Sequence, residues 1–149
     1  AWSLYELTSD EPKMAEHVAF LKGYPLFEGV PAEEWWFLLQ HVTLDRHPSG
    51  TAIIHQGDAG DRFYVLVSGE VAILMRDVSG MWRHIATMSR GAYFGELALL
   101  YDVPRTANVV AHSDIEVLSI EREKFHQLAQ GAPHLWVSIN RAAVSRLPI

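Results

Sequence analysis

The sequence predicts a mainly β domain with flanking helices, arranged as a small antiparallel barrel or a double-sheet jelly roll. Three observations predict it. From about residue 42 to 120 the chain runs in short β-rich stretches punctuated by turn pairs such as Ser49-Gly50, Ser68-Gly69 and Ser79-Gly80. Before that region, over about 11–40, apolar residues recur at helical spacing. After it, over about 121–147, they do so again, which gives helices, β-roll, helices as one domain, 1–149.

In chain order, Ser9 and Asp10 precede E-P-K-M-A-E-H-V-A-F-L-K-G. A capping residue, early acids, an early Pro and a closing Gly23 predict a helix from about 11 to 22. Met14, His17, Val18 and Leu21 lie near one face. Tyr24 to Val30 breaks the helix, and Pro31 starts another with Glu33 and Glu34 at its positive end. Trp35, Leu38 and Leu39 recur at i, i+3, i+4, while Trp36 and Phe37 widen the apolar surface. Strands follow at Thr51–His55, Phe63–Val67, Val71–Met75 and Trp82–Thr87. Two more follow at Ala107–Ala111 and Ile115–Ile120, around His112-Ser113-Asp114. A helix then opens near Glu121 and ends about Gln130. Pro133 begins the last one, whose apolar face is Leu135, Trp136, Ile139, Ala143 and Leu147.

With 149 residues, 49% of them hydrophobic, the chain has enough apolar material for one core. A formal charge of −6 argues against non-specific nucleic-acid binding. Without cysteine there is neither a disulfide framework nor a thiolate metal site. No apolar run is long enough to span a membrane and no signal peptide is visible, so a cytoplasmic location is expected. The ends, A-W-S-L and R-L-P-I, read as those of a fragment of a longer protein, with a processed natural chain as the alternative.

One stretch carries chemistry: Phe94 to Ala107, F-G-E-L-A-L-L-Y-D-V-P-R-T-A. Gly95 lets the backbone approach a ligand. Leu97, Ala98, Leu99 and Leu100 form an apolar turn whose free N–H groups suit an anion. Arg105 brings the side chain best shaped to take two phosphate oxygens. Glu96 is repulsive beside an anion unless hydroxyl groups donate to it. A sugar phosphate satisfies both demands.

These fourteen consecutive positions resemble the phosphate-binding cassette of cyclic-nucleotide-binding domains, found in regulatory subunits of cyclic-AMP-dependent protein kinase, in gated channels and in bacterial receptors. The helical entry L-F-E-G-V-P-A-E-E-W resembles that family too. The resemblance implies the jelly-roll form of the fold, no enzymatic activity and no cofactor. It implies a cyclic nucleotide as ligand, and backbone N–H groups of Gly95 and Ala98, with Leu97 between them, facing the phosphate. By the same resemblance Glu96 accepts from the ribose 2′-hydroxyl and Arg105 pairs with an exocyclic oxygen. Thr106 and Ala107 contribute N–H groups, and the Thr106 hydroxyl reaches phosphate or base. Ile73 and Met75, on one face of their strand, lie beneath the purine or simply pack the core; Ile85 is a weaker candidate. Trp136 or Ile139 lids the base, or the lid lies beyond Ile149.

Thr106 resembles cyclic-GMP-dependent kinases, yet Thr or Ser also occurs there in cyclic-AMP receptors; cAMP is favoured over cGMP. The expected partners are the nucleotide and an attached or partner effector domain, told of occupancy through the helices. The terminal helices could also pair in a homodimer. Two other readings stand beside this one. A degenerate domain would serve only as an interaction module, which the intact Glu96 and Arg105 argue against. A metal-dependent cupin-like enzyme would need clustered histidines, and the nearest cluster is His55 with Asp58 or Asp61.

Overall fold

The computed structural model describes residues 14–146; the expectations placed on 1–13 and on Leu147 to Ile149 lie outside the described residues. The first helix, α1, occupies 14–21. A single 3-10 turn, Pro25–Phe27, leads to α2, Ala32–His41. The strands are β1 (Thr43–His47), β2 (Ala52–Ile54), β3 (Arg62–Ser68), β4 (Val71–Arg76), β5 (Trp82–Met88) and β6 (Tyr93–Phe94). After α3 (Glu96–Tyr101) come β7 (Asn108–Ala111) and β8 (Ile115–Glu121). The chain closes with α4 (Arg122–Gly131) and α5 (Pro133–Ala143).

The strands form two four-stranded antiparallel sheets, ordered β1-β8-β3-β6 and β2-β7-β4-β5. This is the β-roll of the jelly-roll class. Strands β3 and β8 are buried on both faces because alternate residues serve different cores. Phe63, Val65, Val67, Leu118 and Ile120 face the helices and meet Phe27, Trp35, Leu38, Phe125, Leu128, Leu135 and Ile139. Tyr64, Leu66, Ile115 and Val117 face into the roll, against Val71, Ile73, Phe94, Ala107 and Val109.

Two strands escape the sequence reading. Strand β1, T-L-D-R-H, has one aliphatic residue and, among the described residues, pairs only with β8, so edge position replaces hydrophobic patterning. Strand β6 is only two residues, pairing Tyr64 with Phe94 and Val65 with Tyr93, and it lays the start of the 94–107 loop against β3. The last helix also stops at Ala143 rather than near 147. Ser145 donates through both its N–H and its hydroxyl to the Ala142 carbonyl, and turns occupy 144–146.

The N- and C-terminal helices are joined by a buried carboxylate. Helix α5 has no side-chain cap at Ala132. Glu34 of α2 supplies one from across the molecule. Its Oε1 accepts from the Leu135 N–H at 3.0 Å, and its Oε2 accepts from the His134 N–H at 3.2 Å. The His134 imidazole closes on Oε2 at 2.7 Å. Burial alone would raise the Glu34 carboxyl, but the Leu135 and His134 donors prevail and hold it below its usual value.

Glu34→Ala is expected to cost roughly 1–3 kcal/mol, because two helix N–H groups lose their acceptor; urea denaturation reads this. With the folded value lowered, the carboxylate's contribution is complete above the unfolded value and is lost as pH falls through the folded one. Wild type should therefore lose stability more steeply than Glu34→Gln below about pH 4.3. Parallel acid curves would exclude this role.

Candidate functional site

The loop from β6 to β7 is held at both ends by backbone pairing. Past α3 the chain turns at Asp102, whose φ of 52° is left-handed, a conformation Asp tolerates. It then leads through Pro104 to Arg105. The Arg105 N–H donates to the Asp58 carbonyl at 2.8 Å, and its carbonyl accepts from Gly57 at 2.7 Å. The 57–61 turn thus fixes the Arg105 backbone before any ligand is considered.

The Arg105 side chain turns inward and is only 3% exposed. Its Nη1 donates to the Gly95 carbonyl at 2.9 Å and its Nη2 to the Arg62 carbonyl at 2.7 Å. Asp61 lies 3.7 Å from Nη2. Burial pulls the guanidinium below its usual value, opposed by Tyr64, Asp61 and Glu96. Two of its five N–H donors are spent on carbonyls that orient it, leaving others for an oxyanion.

Gly95 makes this geometry possible. It caps α3 with φ 97°, where an L side chain is strained. A Cβ there would lie 2.8 Å from Arg105 Nη1 and 2.9 Å from the Arg62 carbonyl. The next residue, Glu96, is fully buried at 0% exposure in the first turn of α3. Neither carboxylate oxygen has a hydrogen-bond partner among the described residues. Burial pushes the Glu96 carboxyl up, and Arg146, the nearby Glu96 backbone N–H and Arg105 pull it back. Leu97, Ala98 and Leu99 are buried and seat α3 on β3. The loop therefore sets a carboxylate and a guanidinium in one low-dielectric place, where each is worth more to a ligand than at the surface.

Thr106 follows with a buried hydroxyl that has no partner among the described residues. Ala107, Ile73 and Val109 lie in the roll interior, with Met75 packed at its margin. Ile73 therefore lies within, and Met75 against, the apolar cluster that Ala107 joins. Ile85 does not: it falls where the β4–β5 register shifts and is 39% exposed. Trp136 and Ile139 pack on the helix side, Trp136 edge-on to Phe125 at 5.4 Å. Their side chains serve helix packing and are not in the cluster holding Ile73. His55 and Asp58 are both exposed, 3.9 Å apart, and no group of three or more metal-ligating side chains occurs among the described residues.

Several residues around the loop carry no sequence signal. Gly60 packs on α3 so closely that a Cβ would sit 2.5 Å from that of Ala98. Arg122, opening α4, donates to the Gly60 carbonyl at 3.0 Å and to that of Ala98 at 3.4 Å, and lies 3.5 Å from Asp102. Arg146, beyond α5, places Nε 3.6 Å from Glu96 Oε1. Only the G-D spacing of 57–61 hinted at a turn; the contacts themselves are tertiary.

The chain matches the family model of the cyclic nucleotide-binding domain over residues 44–131. It is 36% identical over 126 residues to a cAMP-dependent protein kinase regulatory subunit of Mucor circinelloides f. lusitanicus, covering 85% of this chain and 29% of that protein. Among solved structures it is similar to the catabolite activator protein of Thermus thermophilus, with a TM-score of 0.75 and 31% identity, covering 81% of this chain and 57% of the other. It is also similar to the regulatory domain of Toxoplasma gondii PKA crystallised with cAMP, with a TM-score of 0.80 and 26% identity, covering 93% and 52%. The chain thus spans under a third of that regulatory subunit and little more than half of the two solved chains.

Gly95→Ala should destabilise the protein by about 1–3 kcal/mol, from left-handed strain plus contact with Arg105. The drop is read as a lowered Tm. An unchanged Tm would mean the loop does not need this conformation.

Proposed function

This chain belongs to the cyclic nucleotide-binding domain family, and we propose that it is a regulatory sensor that binds cAMP in preference to cGMP and performs no chemistry itself. The observation that carries the reading is the joint burial of Glu96 and Arg105 on one loop, oriented by Gly95 and Arg62. A cyclic phosphate suits the guanidinium, and a ribose hydroxyl suits the unpartnered carboxylate. Thr106, Ala107 and the N–H groups of Gly95, Leu97 and Ala98 would complete the phosphate end, and Ile73 and Met75 the bed for the base. The preference for cAMP is supported by the regulatory subunit and the cAMP-bound PKA domain to which the chain is similar.

Relay to an attached or partner effector domain is supported by how the loop is tied to the C-terminal helices. Arg122 joins α4 to α3, and Arg146 joins the turn after α5 to Glu96. Both charged groups of the loop are buried, so a nucleotide reaches them only if the loop or that turn shifts. Binding then favours one of two arrangements by the difference in their affinities.

Titration calorimetry should give saturable binding of cAMP, with cGMP weaker in competition. Arg105→Ala should weaken binding at least ~100-fold, since a buried charge-assisted contact is worth a few kcal/mol. Absence of nucleotide binding would favour an interaction module instead, and equal affinity in Arg105→Ala would remove the phosphate role. Hydrogen exchange over α4 and α5 should change when cAMP is added. Unchanged exchange with binding confirmed would make the domain a passive binder.

A further inference from the structure

We propose that Gln56 is a positioning residue for the phosphate end of the site: its side-chain amide stands in for a missing strand rung and so leaves the Thr106 N–H free for the cyclic phosphate. This deepens the cyclic-nucleotide reading and rests on it. Strands β4 and β7 pair Ala72 with Val110 and Leu74 with Asn108. Continued by two residues, that register sets Thr106 opposite Arg76. In an antiparallel ladder every second pair exchanges both of its backbone hydrogen bonds. The Asp77 N–H is used on the hairpin side, toward the Met81 carbonyl at 2.9 Å. The backbone groups of Arg76 therefore point the other way, to the β7 side. Thr106 would ordinarily meet them there, yet β7 begins only at Asn108.

A side chain makes the rung instead. The Arg76 N–H donates to Gln56 Oε1 at 2.8 Å, and Gln56 Nε2 donates to the Arg76 carbonyl at 3.3 Å. A primary amide carries the acceptor and the donor that this pairing needs; a carboxylate has only acceptors. Gln56 is itself fixed through its backbone N–H, which donates to Asn108 Oδ1 at 2.7 Å. Beside it, Gly57 and Asp58 bond to the Arg105 carbonyl and N–H. The 56–58 segment thus holds the Arg105 backbone while the Gln56 side chain reaches past it to β4. With Arg76 satisfied, Thr106 is left without its ladder partner. Its N–H has no hydrogen-bond partner among the described residues, and neither has its buried hydroxyl. An amide withheld from its ladder is an unused donor, and here it adjoins the Arg105 guanidinium. An anionic oxygen needs that pairing of donor and charge.

The test is residue-resolved amide hydrogen exchange by NMR on the 149-residue protein, with cAMP affinity read by calorimetry. In nucleotide-free wild type the Arg76 N–H should be protected and the Thr106 N–H should not. Saturating cAMP should protect Thr106. Gln56→Met removes both amide bonds at similar length, so Thr106 should close on Arg76 and extend β7. Exchange at Thr106 without nucleotide should then slow about fivefold or more, the scale of one backbone hydrogen bond. Binding of cAMP should weaken about tenfold, the scale of a hydrogen bond to a charged group. General loosening of the fold would speed that exchange, the opposite sign. Gln56→Glu keeps the acceptor but cannot donate to the Arg76 carbonyl, and it should move both readouts the same way. Protection of Thr106 in nucleotide-free wild type overturns the inference. So does unchanged exchange at Thr106 in both variants, or slowed exchange with undiminished affinity. Wild type that binds neither cAMP nor cGMP is a different failure. The cyclic-nucleotide reading then falls, while exchange without nucleotide still upholds or overturns the Gln56 rung.

Discussion

Two opposite charges are buried on one loop, Glu96 at its start and Arg105 at its end. Burying either alone would be costly, and neither is relieved by a direct bond to the other. Each instead depends on backbone and side chains from elsewhere. Arg105 needs the carbonyls of Gly95 and Arg62, so it needs β3 laid beside β6. Glu96 lies beside Arg146, which comes from the turn after α5. The β-roll, the loop and the last helix are therefore one electrostatic unit. A ligand with both a hydroxyl and a phosphate answers what that unit leaves unsatisfied.

The helices are in turn fixed by a second buried carboxylate. Glu34 caps the first turn of α5, and Ser138 of α5 donates to the Leu26 carbonyl of the 3-10 turn at 2.7 Å. The packing of Phe27 on Trp35, and of Phe125 on Phe63 and Trp136, fills the space between. In the proposed relay, movement at the loop would pass to α4 through Arg122 and to the α5 end through Arg146, and Glu34 would carry it on to α2. That chain of contacts is the physical content of the proposed relay.

Much of this was legible because it is local. Turn pairs separate the β-rich runs, and Gly95, Glu96 and Arg105 sit within one uninterrupted stretch whose chemistry can be read residue by residue. What was not legible is tertiary. Strand β1 has no hydrophobic pattern, because an edge strand needs none, and β6 is too short to have a pattern at all. Glu34 reads as an acid favouring the positive end of its own helix, whereas it caps a helix a hundred residues later. Arg122 and Arg146 look like surface arginines, and Gly60 like a turn glycine; only the folded chain brings them to α3. Trp136 and Ile139 show the converse. Their spacing marks an apolar face but cannot say which of the two cores it joins.

The central claim is that a cyclic nucleotide binds with its phosphate at Arg105 and its ribose at Glu96. A crystal structure of the protein grown from saturating cAMP tests it most directly. The account predicts an exocyclic phosphate oxygen within hydrogen-bond distance of the Arg105 guanidinium, the 2′-hydroxyl donating to Glu96, and the base over Ile73 and Met75. A nucleotide bound elsewhere on the roll, or one whose phosphate faces away from Arg105, would contradict it.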